Sequence, residues 1–247
     1  MTLPGLFVTG TDTGVGKTRV ASAIVRALVG SGRRVGVLKP VLSGSGRPDD
    51  ADELIEAAGG GIPRERVSPL RYELPLAPCV AARLTGTPLL QSEVLRAVGE
   101  AIGWWADRAD LLVVEGVGGL LCPLADDSTV ADLALALDFP LVIVARRGLG
   151  TLNHALLTVE AARARSLRIA GIVLNGNEPA TDPGAEATNP AELARRIGAI
   201  PILLDILHGE GIGGPAMGRV DWAGRALRPR FQAGSIGARP AEEVRSR

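Results

Sequence analysis

Gly10-Thr11-Asp12-Thr13-Gly14-Val15-Gly16-Lys17-Thr18 decides how the rest of this chain is read. The short apolar run Leu6 to Thr9 precedes it, and Val20, Ile24, Val25 and Leu28 recur at helical spacing after it. That pattern predicts a strand, a glycine-rich turn and a helix from about Lys17 to Val29. Gly16-Lys17-Thr18 between a strand and a helix is the context a phosphate-binding loop needs. Glycines let backbone N–H groups wrap a phosphate without side-chain clash, and the helix N-terminus adds a favourable field. Gly14, Val15, Gly16, Lys17, Thr18 and Arg19 are therefore the nucleotide-binding candidates. Lys17 would neutralise the β- and γ-phosphates, and the Thr18 hydroxyl would coordinate Mg²⁺. The usual spacing puts a glycine where Thr11 stands here, with Gly10 one residue earlier, so the loop is a variant.

Working outward, Arg34-Val35-Gly36-Val37-Leu38 reads as a second strand and is closed by Lys39. Lys17 and Lys39 are the only lysines among 27 basic residues. A bias toward arginine explains the scarcity of lysine, but not why both survivors fall where chemistry is expected. Lysine is a compact point charge and arginine a planar fork, so the two are not interchangeable at a phosphate or a reacting carboxylate. Ser43 follows in Lys39-Pro40-Val41-Leu42-Ser43-Gly44. A lysine and a hydroxyl facing a nucleotide γ-phosphate point to a second anionic substrate rather than water. The plainer alternative is a lysine that only pairs with a neighbouring acid.

The continuous apolar run Leu111-Leu112-Val113-Val114 has the character of a parallel strand covered on both faces. Glu115 ends it, ahead of Gly116-Val117-Gly118-Gly119, which puts a carboxylate at the C-terminal edge of the sheet, where ligands bind in such folds. Mg²⁺ takes one or two carboxylates beside the phosphates. Glu115 supplies one. Asp50 is the candidate for the other, with Thr18 as the hydroxyl ligand. Asp49 and Asp52 compete for the same role, and helix N-capping alone also explains an aspartate there.

At 247 residues and 46% apolar content, the chain can bury one large core, so a single α/β domain is expected. Strands are further expected at 140–145, 169–174 and 200–204. Helices are expected from about 50 to 59, and at 90–107, 129–137 and 153–165. Strands alternating with helices imply right-handed crossovers, hence a P-loop NTPase-type three-layer fold with a mainly parallel sheet covered on both faces. Residues 60–90 are rich in Pro and Gly and give no clear pattern, and 176–190 read as an exposed loop. Apolar periodicity stops after Leu227, so the domain is expected to span 1–227, with a mobile basic tail at 228–247.

Net charge is zero, without blocks of like charge, which argues against nucleic-acid or anionic-membrane partners. No apolar run approaches a membrane span, and the N-terminus runs almost directly into a strand with no room for a signal peptide, so a cytoplasmic location is expected. Cys79 and Cys122 lack metal or redox spacing, His154 and His208 lack paired ligands, and Trp104 and Trp105 read as core or interface residues.

Together these stretches resemble the dethiobiotin synthetase family. Four segments carry the likeness: 10–18, 39–44, Val114-Glu115-Gly116-Val117-Gly118-Gly119 and Leu149-Gly150-Thr151-Leu152-Asn153-His154. They occur in family order within about residues 5–205. The first alone is shared with other P-loop synthases, and four together are much more specific. The adenine side matches through Asn175-Gly176 and Pro201-Ile202-Leu203. The resemblance implies an ATP-dependent ligase that uses Mg²⁺, CO₂ and 7,8-diaminopelargonate, in three steps: carbamate formation, phosphorylation to a carbamic–phosphoric anhydride, and ring closure. In that scheme Lys39 and Lys17 are catalytic, and Thr11, Lys39, Ser43, Leu149, Gly150 and Asn153 hold the diamine. Glu115, Gly116, Val117, Gly118 and Asp50 join the nucleotide site. It also implies a homodimer in which the 149–153 loop reaches the partner's site. Two readings from other classes compete. A ParA/MinD-like switch ATPase would carry a second lysine near the loop start, where Asp12 stands, and a cobyrinate-type amidotransferase needs a glutaminase domain that this chain is too short to hold.

Overall fold

The computed structural model describes residues 3–230 except 45, 47, 48, 180, 181 and 214. The chain opens with β1 (Gly5–Gly10), α1 (Lys17–Gly30), β2 (Val35–Leu38), β3 (Val41–Ser43), α2 (Asp50–Ala57), α3 (Arg64–Val67) and β4 (Leu70–Tyr72). It continues with α4 (Pro78–Leu84), α5 (Gln91–Trp105), β5 (Leu111–Glu115), β6 (Pro123–Ala125), β7 (Ser128–Thr129) and α6 (Val130–Leu137). The last elements are β8 (Leu141–Arg146), α7 (Thr151–Ala164), β9 (Ile169–Asn175), α8 (Pro183–Ile197), β10 (Ile202–Ile206), α9 (Pro215–Gly218) and α10 (Trp222–Arg225).

Six strands form one sheet in the order β10-β9-β8-β1-β5-β2, and every neighbouring pair is parallel. The central strands β1 and β5 are buried at every residue, which explains why they read as unbroken apolar runs. Leu6, Phe7, Ile24, Leu112, Ile143 and Ile172 are among the largest fully buried side chains and join strands to helices in one core. A parallel sheet brings the C-terminal ends of all its strands to one edge. Gly10, Leu38, Glu115, Arg146, Asn175 and Ile206 therefore end their strands on the same side.

Trp104 and Trp105 pack edge to face, with ring centroids 4.8 Å apart. A Cβ at Gly36 would lie only 2.9 Å from Trp105 Cδ2, so the glycine of β2 makes room for the buried indole. The expected core role of this ring holds.

Three expectations need correction or sharpening. Residues 183–190 are not loop but the first half of α8. Asp182 caps this helix by accepting from the Ala185 N–H at 3.0 Å, and Pro183 occupies the first turn, where its missing N–H costs nothing. Composition rich in Pro, Gly, Asn and Asp hid a helix start. Residues 60–90 contain α3, β4 and α4, elements too short for periodicity to show. At the C-terminus, Leu227 pairs with Gly5, and the Arg230 guanidinium and backbone N–H both bind Asp138, so ordered contacts extend to Arg230. The expected tail otherwise falls on 231–247, outside the described residues. No helix among the described residues is long and apolar enough to cross a membrane.

Candidate active site

The phosphate loop leaves the sheet between β5 and β8. Thr11 N–H donates to Val144 O at 2.9 Å, which carries the β8 pairing one residue past β1 before the chain turns. Gly16 sits at φ 88°, and a side chain there would run into the Asn175 amide, so both conformation and space require glycine. Asn175 Nδ2 donates to Val15 O at 2.9 Å and Asn177 Nδ2 to Gly14 O at 2.7 Å. Two amides at the end of β9 thus brace the loop through its carbonyls. Lys17 Nζ donates to Asp12 O at 2.8 Å, lying across the loop. Burial, helped by the nearby Lys39 charge, pulls the Lys17 pKa down to about 8.

Beside the loop lies a compact charge cluster. Lys39 Nζ donates to Glu115 Oε1 at 2.6 Å and Gly116 O at 3.2 Å, and lies 2.7 Å from Asp50 Oδ2. Thr18 Oγ1 donates to the same Glu115 oxygen at 2.8 Å. Burial alone would strip Lys39 of its proton, but the fields of Glu115 and Asp50 outweigh it and raise the pKa. Burial also raises the Glu115 carboxyl, with Lys39 opposing. For Asp50 the balance falls the other way: burial pushes up, while Lys39 and the Thr18 hydroxyl bring the carboxyl below its usual range. The opposed charges of Lys39, Lys17, Glu115 and Asp50 compensate one another in a site that could not hold any one of them alone.

The three aspartates near α2 separate cleanly. Asp49 caps the helix, accepting from the N–H groups of Ala51 and Asp52, and its carboxylate also pairs with Arg64 and Arg71. Asp52 returns to the Asp49 N–H and pairs with Arg64. Asp50 alone faces the lysine cluster. Thr18, Asp50 and Glu115 offer hard oxygen donors, and buried Glu115 Oε2 has no hydrogen-bond partner. That donor set suits a cation which keeps most of its remaining coordination for water and phosphate.

The 116–119 loop closes over the start of the phosphate loop. A Cβ at Gly119 would lie 3.4 Å from Thr11 O, and one at Gly118 would lie 3.8 Å from Thr13 Oγ1. Val117, just before these glycines, is half-buried. Thr11 lies at the exit of β1, and half-buried Ser43 ends β3, just beyond the strand that delivers Lys39. Leu149 is 77% exposed, Gly150 adopts a left-handed turn at φ 87°, and Asn153 is exposed on the first turn of α7. No side chain caps the start of α7; Thr151 Oγ1 donates back to Arg146 O.

On the adenine side, Asn175 and Gly176 end β9 beside the phosphate loop, but Pro201, Ile202 and Leu203 do not join them. Ile202 pairs with Ile172 near the start of β9, and a Cβ at Gly171 would strike Leu203. These residues enter β10 at the opposite edge of the sheet, which corrects the expected nucleotide contact. The end of β10 does approach: Gly176 N–H donates to Ile206 O at 2.8 Å, and His208 Nδ1 lies 3.2 Å from Gly176 O. Direction decides this, because in a parallel strand only the C-terminal residues reach the ligand edge.

Arg146 and Arg147 were missed. Arg146 ends β8 and Arg147 follows it, directly after a buried apolar run, the same signal that marks Glu115. Arg147, 9% exposed, makes a bidentate pair with Asp205 at 2.5 and 3.0 Å, and Asn189 donates to the carbonyls of Arg147 and Gly148. This network anchors the turn that leads into α7. Cys79 and Cys122 are free thiols.

A family model described as an AAA domain matches residues 4–210. The ATP-dependent dethiobiotin synthetase BioD of Anaeromyxobacter dehalogenans (strain 2CP-C) is 50% identical over 202 residues, covering 81% of this chain and 88% of that protein. The protein of the same name from Bacillus subtilis (strain 168) is 42% identical over 202 residues, covering 81% and 85%. Among solved structures, the kinase domain of Escherichia coli tyrosine kinase ETK aligns with 70% of this chain and 67% of its own. Its identity is 19% and its TM-score 0.42, too loose a likeness to carry an argument.

Proposed function

This chain belongs to the dethiobiotin synthetase family, and on that premise we propose that it converts 7,8-diaminopelargonate, CO₂ and ATP into dethiobiotin, ADP and phosphate. The observation that carries the reading is the meeting of Lys17, Thr18, Lys39, Asp50 and Glu115 at one sheet edge. They come from separate stretches of sequence, and together they suit transfer of a phosphoryl group to an anionic acceptor.

CO₂ first adds to one amine of the diamine, giving a carbamate. A carbamate oxygen then attacks the γ-phosphorus; the bond to the bridging oxygen breaks, and ADP leaves with its electron pair. The second amine attacks the carbamate carbon, closes the five-membered ring and expels phosphate. Lys39 holds the carbamate and the migrating charge, and Lys17 holds the β- and γ-phosphates. Such positioning and charge stabilisation are the main catalytic work in phosphoryl transfer. Thr11 and Ser43 orient the diamine. Thr18, Asp50 and Glu115 would hold Mg²⁺, which supplies charge neutralisation for the phosphates when bound.

Asn175, Gly176 and the turn at 207–210 form the base side in this reading. The substrate's carboxylate lies at the far end of an aliphatic chain and needs a partner away from the phosphates. Leu149 before α7 and Leu157 on it are exposed apolar side chains, which supports a two-fold homodimer in which the loop carrying Leu149, Gly150 and Asn153 enters the partner's site. The reactants are soluble and no step calls for a membrane, which fits a cytoplasmic enzyme.

Mass spectrometry of the products from ATP, Mg²⁺, bicarbonate and diaminopelargonate tests the reaction. Dethiobiotin is expected, with ATP turnover dependent on the diamine. ATP turnover without dethiobiotin would sink the proposal.

A further inference from the structure

We propose that Arg146 supplies, from within the same chain, a guanidinium to the terminal phosphate of the bound nucleotide. The inference rests on the phosphoryl-transfer reading above and adds a residue to it. Arg146 ends β8, the strand directly beside β1, in register just past the pair Gly10 and Val144. Its side chain, 38% exposed, reaches the phosphate loop: Nη2 donates to Thr13 O at 3.1 Å, and Nη1 donates to Asp12 Oδ2 at 3.4 Å. Nε is buried and has no partner, and a Cβ built at Gly14 would meet Nη2 at 3.9 Å, so the guanidinium lies in contact distance of the loop.

The loop's own chemistry calls for such a cation. Position 12 carries a carboxylate that is half exposed, at the start of a loop that must receive a triphosphate. Lys17 enters the loop from its C-terminal end, and Lys39 is held by two carboxylates on the β5 side. The β8 side has Arg146. Its contact to Asp12 is long and both contacts are exposed, so exchanging them for charge-assisted, bidentate bonds to a phosphate is favourable. A guanidinium aimed at the migrating phosphoryl group stabilises the charge that builds on its oxygens as the bond to ADP breaks.

The test compares ATP with ADP. In Arg146→Gln, affinity for a non-hydrolysable ATP analogue should fall by about tenfold or more while ADP affinity stays put, because only the former carries the terminal phosphate. The kcat for dethiobiotin should fall by about 10²–10³-fold, and Arg146→Lys should recover only part of it. If Arg146 merely neutralises Asp12, the double variant Asp12→Asn/Arg146→Gln will regain wild-type kcat, and the proposal fails. Equal weakening of ADP and the analogue would also overturn it, by showing a loop-bracing role. Unfolding curves of each variant separate these outcomes from misfolding, and Arg146→Lys serves if Arg146→Gln does not fold. The binding arm needs no diamine, so it reads Arg146 even if the proposed product never forms.

Discussion

Lys39 Nζ lies 2.6 Å from Glu115 Oε1, the same oxygen that accepts the Thr18 hydroxyl at 2.8 Å. One carboxylate oxygen thereby ties β2, β5 and the first turn of α1 together at the edge where the phosphate loop opens. Lys39 is 2% exposed and Glu115 1%, so neither charge has water to fall back on. Removing either partner strands the other.

Lys39→Arg should abolish synthesis, with kcat down about 10²–10³-fold, while nucleotide affinity stays nearly intact. The pocket between Glu115, Asp50 and Gly116 is built for a point charge, and a planar fork does not fit it. Lys17→Arg should impair nucleotide binding as well. Steady-state kinetics beside calorimetric ADP binding will distinguish the two; a Lys39→Arg enzyme with most of its activity would refute the role given to Lys39.

Asp50→Asn and Glu115→Gln should each raise the Mg²⁺ concentration needed for half-maximal rate by about tenfold or more, since each would remove a proposed charged oxygen ligand at similar shape. Asp49→Asn and Asp52→Asn should leave that titration where it was and lower the melting temperature instead, because their carboxylates are taken by Arg64, Arg71 and the helix cap. A Mg²⁺ shift in Asp49→Asn with none in Asp50→Asn would reverse the assignment.

If the proposed shared site holds, Asn153→Asp sets an anion beside the substrate carboxylate and should raise KM for the diamine far more than KM for ATP. Mixed with inactive Lys39→Ala chains, it should restore about one native site per heterodimer once the subunits exchange. Proven exchange without complementation would rule out a shared site.

Asp138 gives a pH signature. Its side chain is 4% exposed; burial opposes its charge, but the hydrogen bonds from Arg230 and the charges of Arg168 and Arg230 win and hold the carboxyl below its usual range. The folded pKa is thus below the unfolded one, near 3.9. The stabilisation is complete above the unfolded value and is lost as pH falls through the folded value. Asp138→Asn keeps a residue that tolerates the left-handed φ of 49° but removes the charge. It should cost about 1–3 kcal/mol at neutral pH. Denaturant titrations should show that deficit steady from pH 7 to about 5 and shrinking below about 4. A deficit independent of pH would show that the charge does not matter.

The phosphate loop, Lys39 and Glu115 were legible because each follows a short apolar strand, and a polar residue there must emerge at the ligand edge of a parallel sheet. Arg146 and Arg147 obey the same rule, yet two arginines in a chain rich in arginine carry no mark of their own. Pro201-Ile202-Leu203 was misplaced because a short motif shows which residues belong to a strand but not which end of it faces the nucleotide. The start of α8 was hidden by its capping residues, which have the composition of a loop.

Local physics therefore determined the central strands and most of the long helices from sequence alone: periodicity separated strand from helix, and glycine spacing shaped the turn that wraps a phosphate. What only the tertiary structure decided was the partner of each charge. Asp49, Asp50 and Asp52 are near neighbours in the chain, yet Arg64 and Arg71 claim two of them and leave Asp50 to Lys39. Arg146 comes to Asp12 across 134 positions of sequence because β8 happens to lie beside β1. Backbone preferences act over a few residues and can be read along the chain. Ion pairing acts through space, and which charges share that space is settled only when the sheet has chosen its strand order.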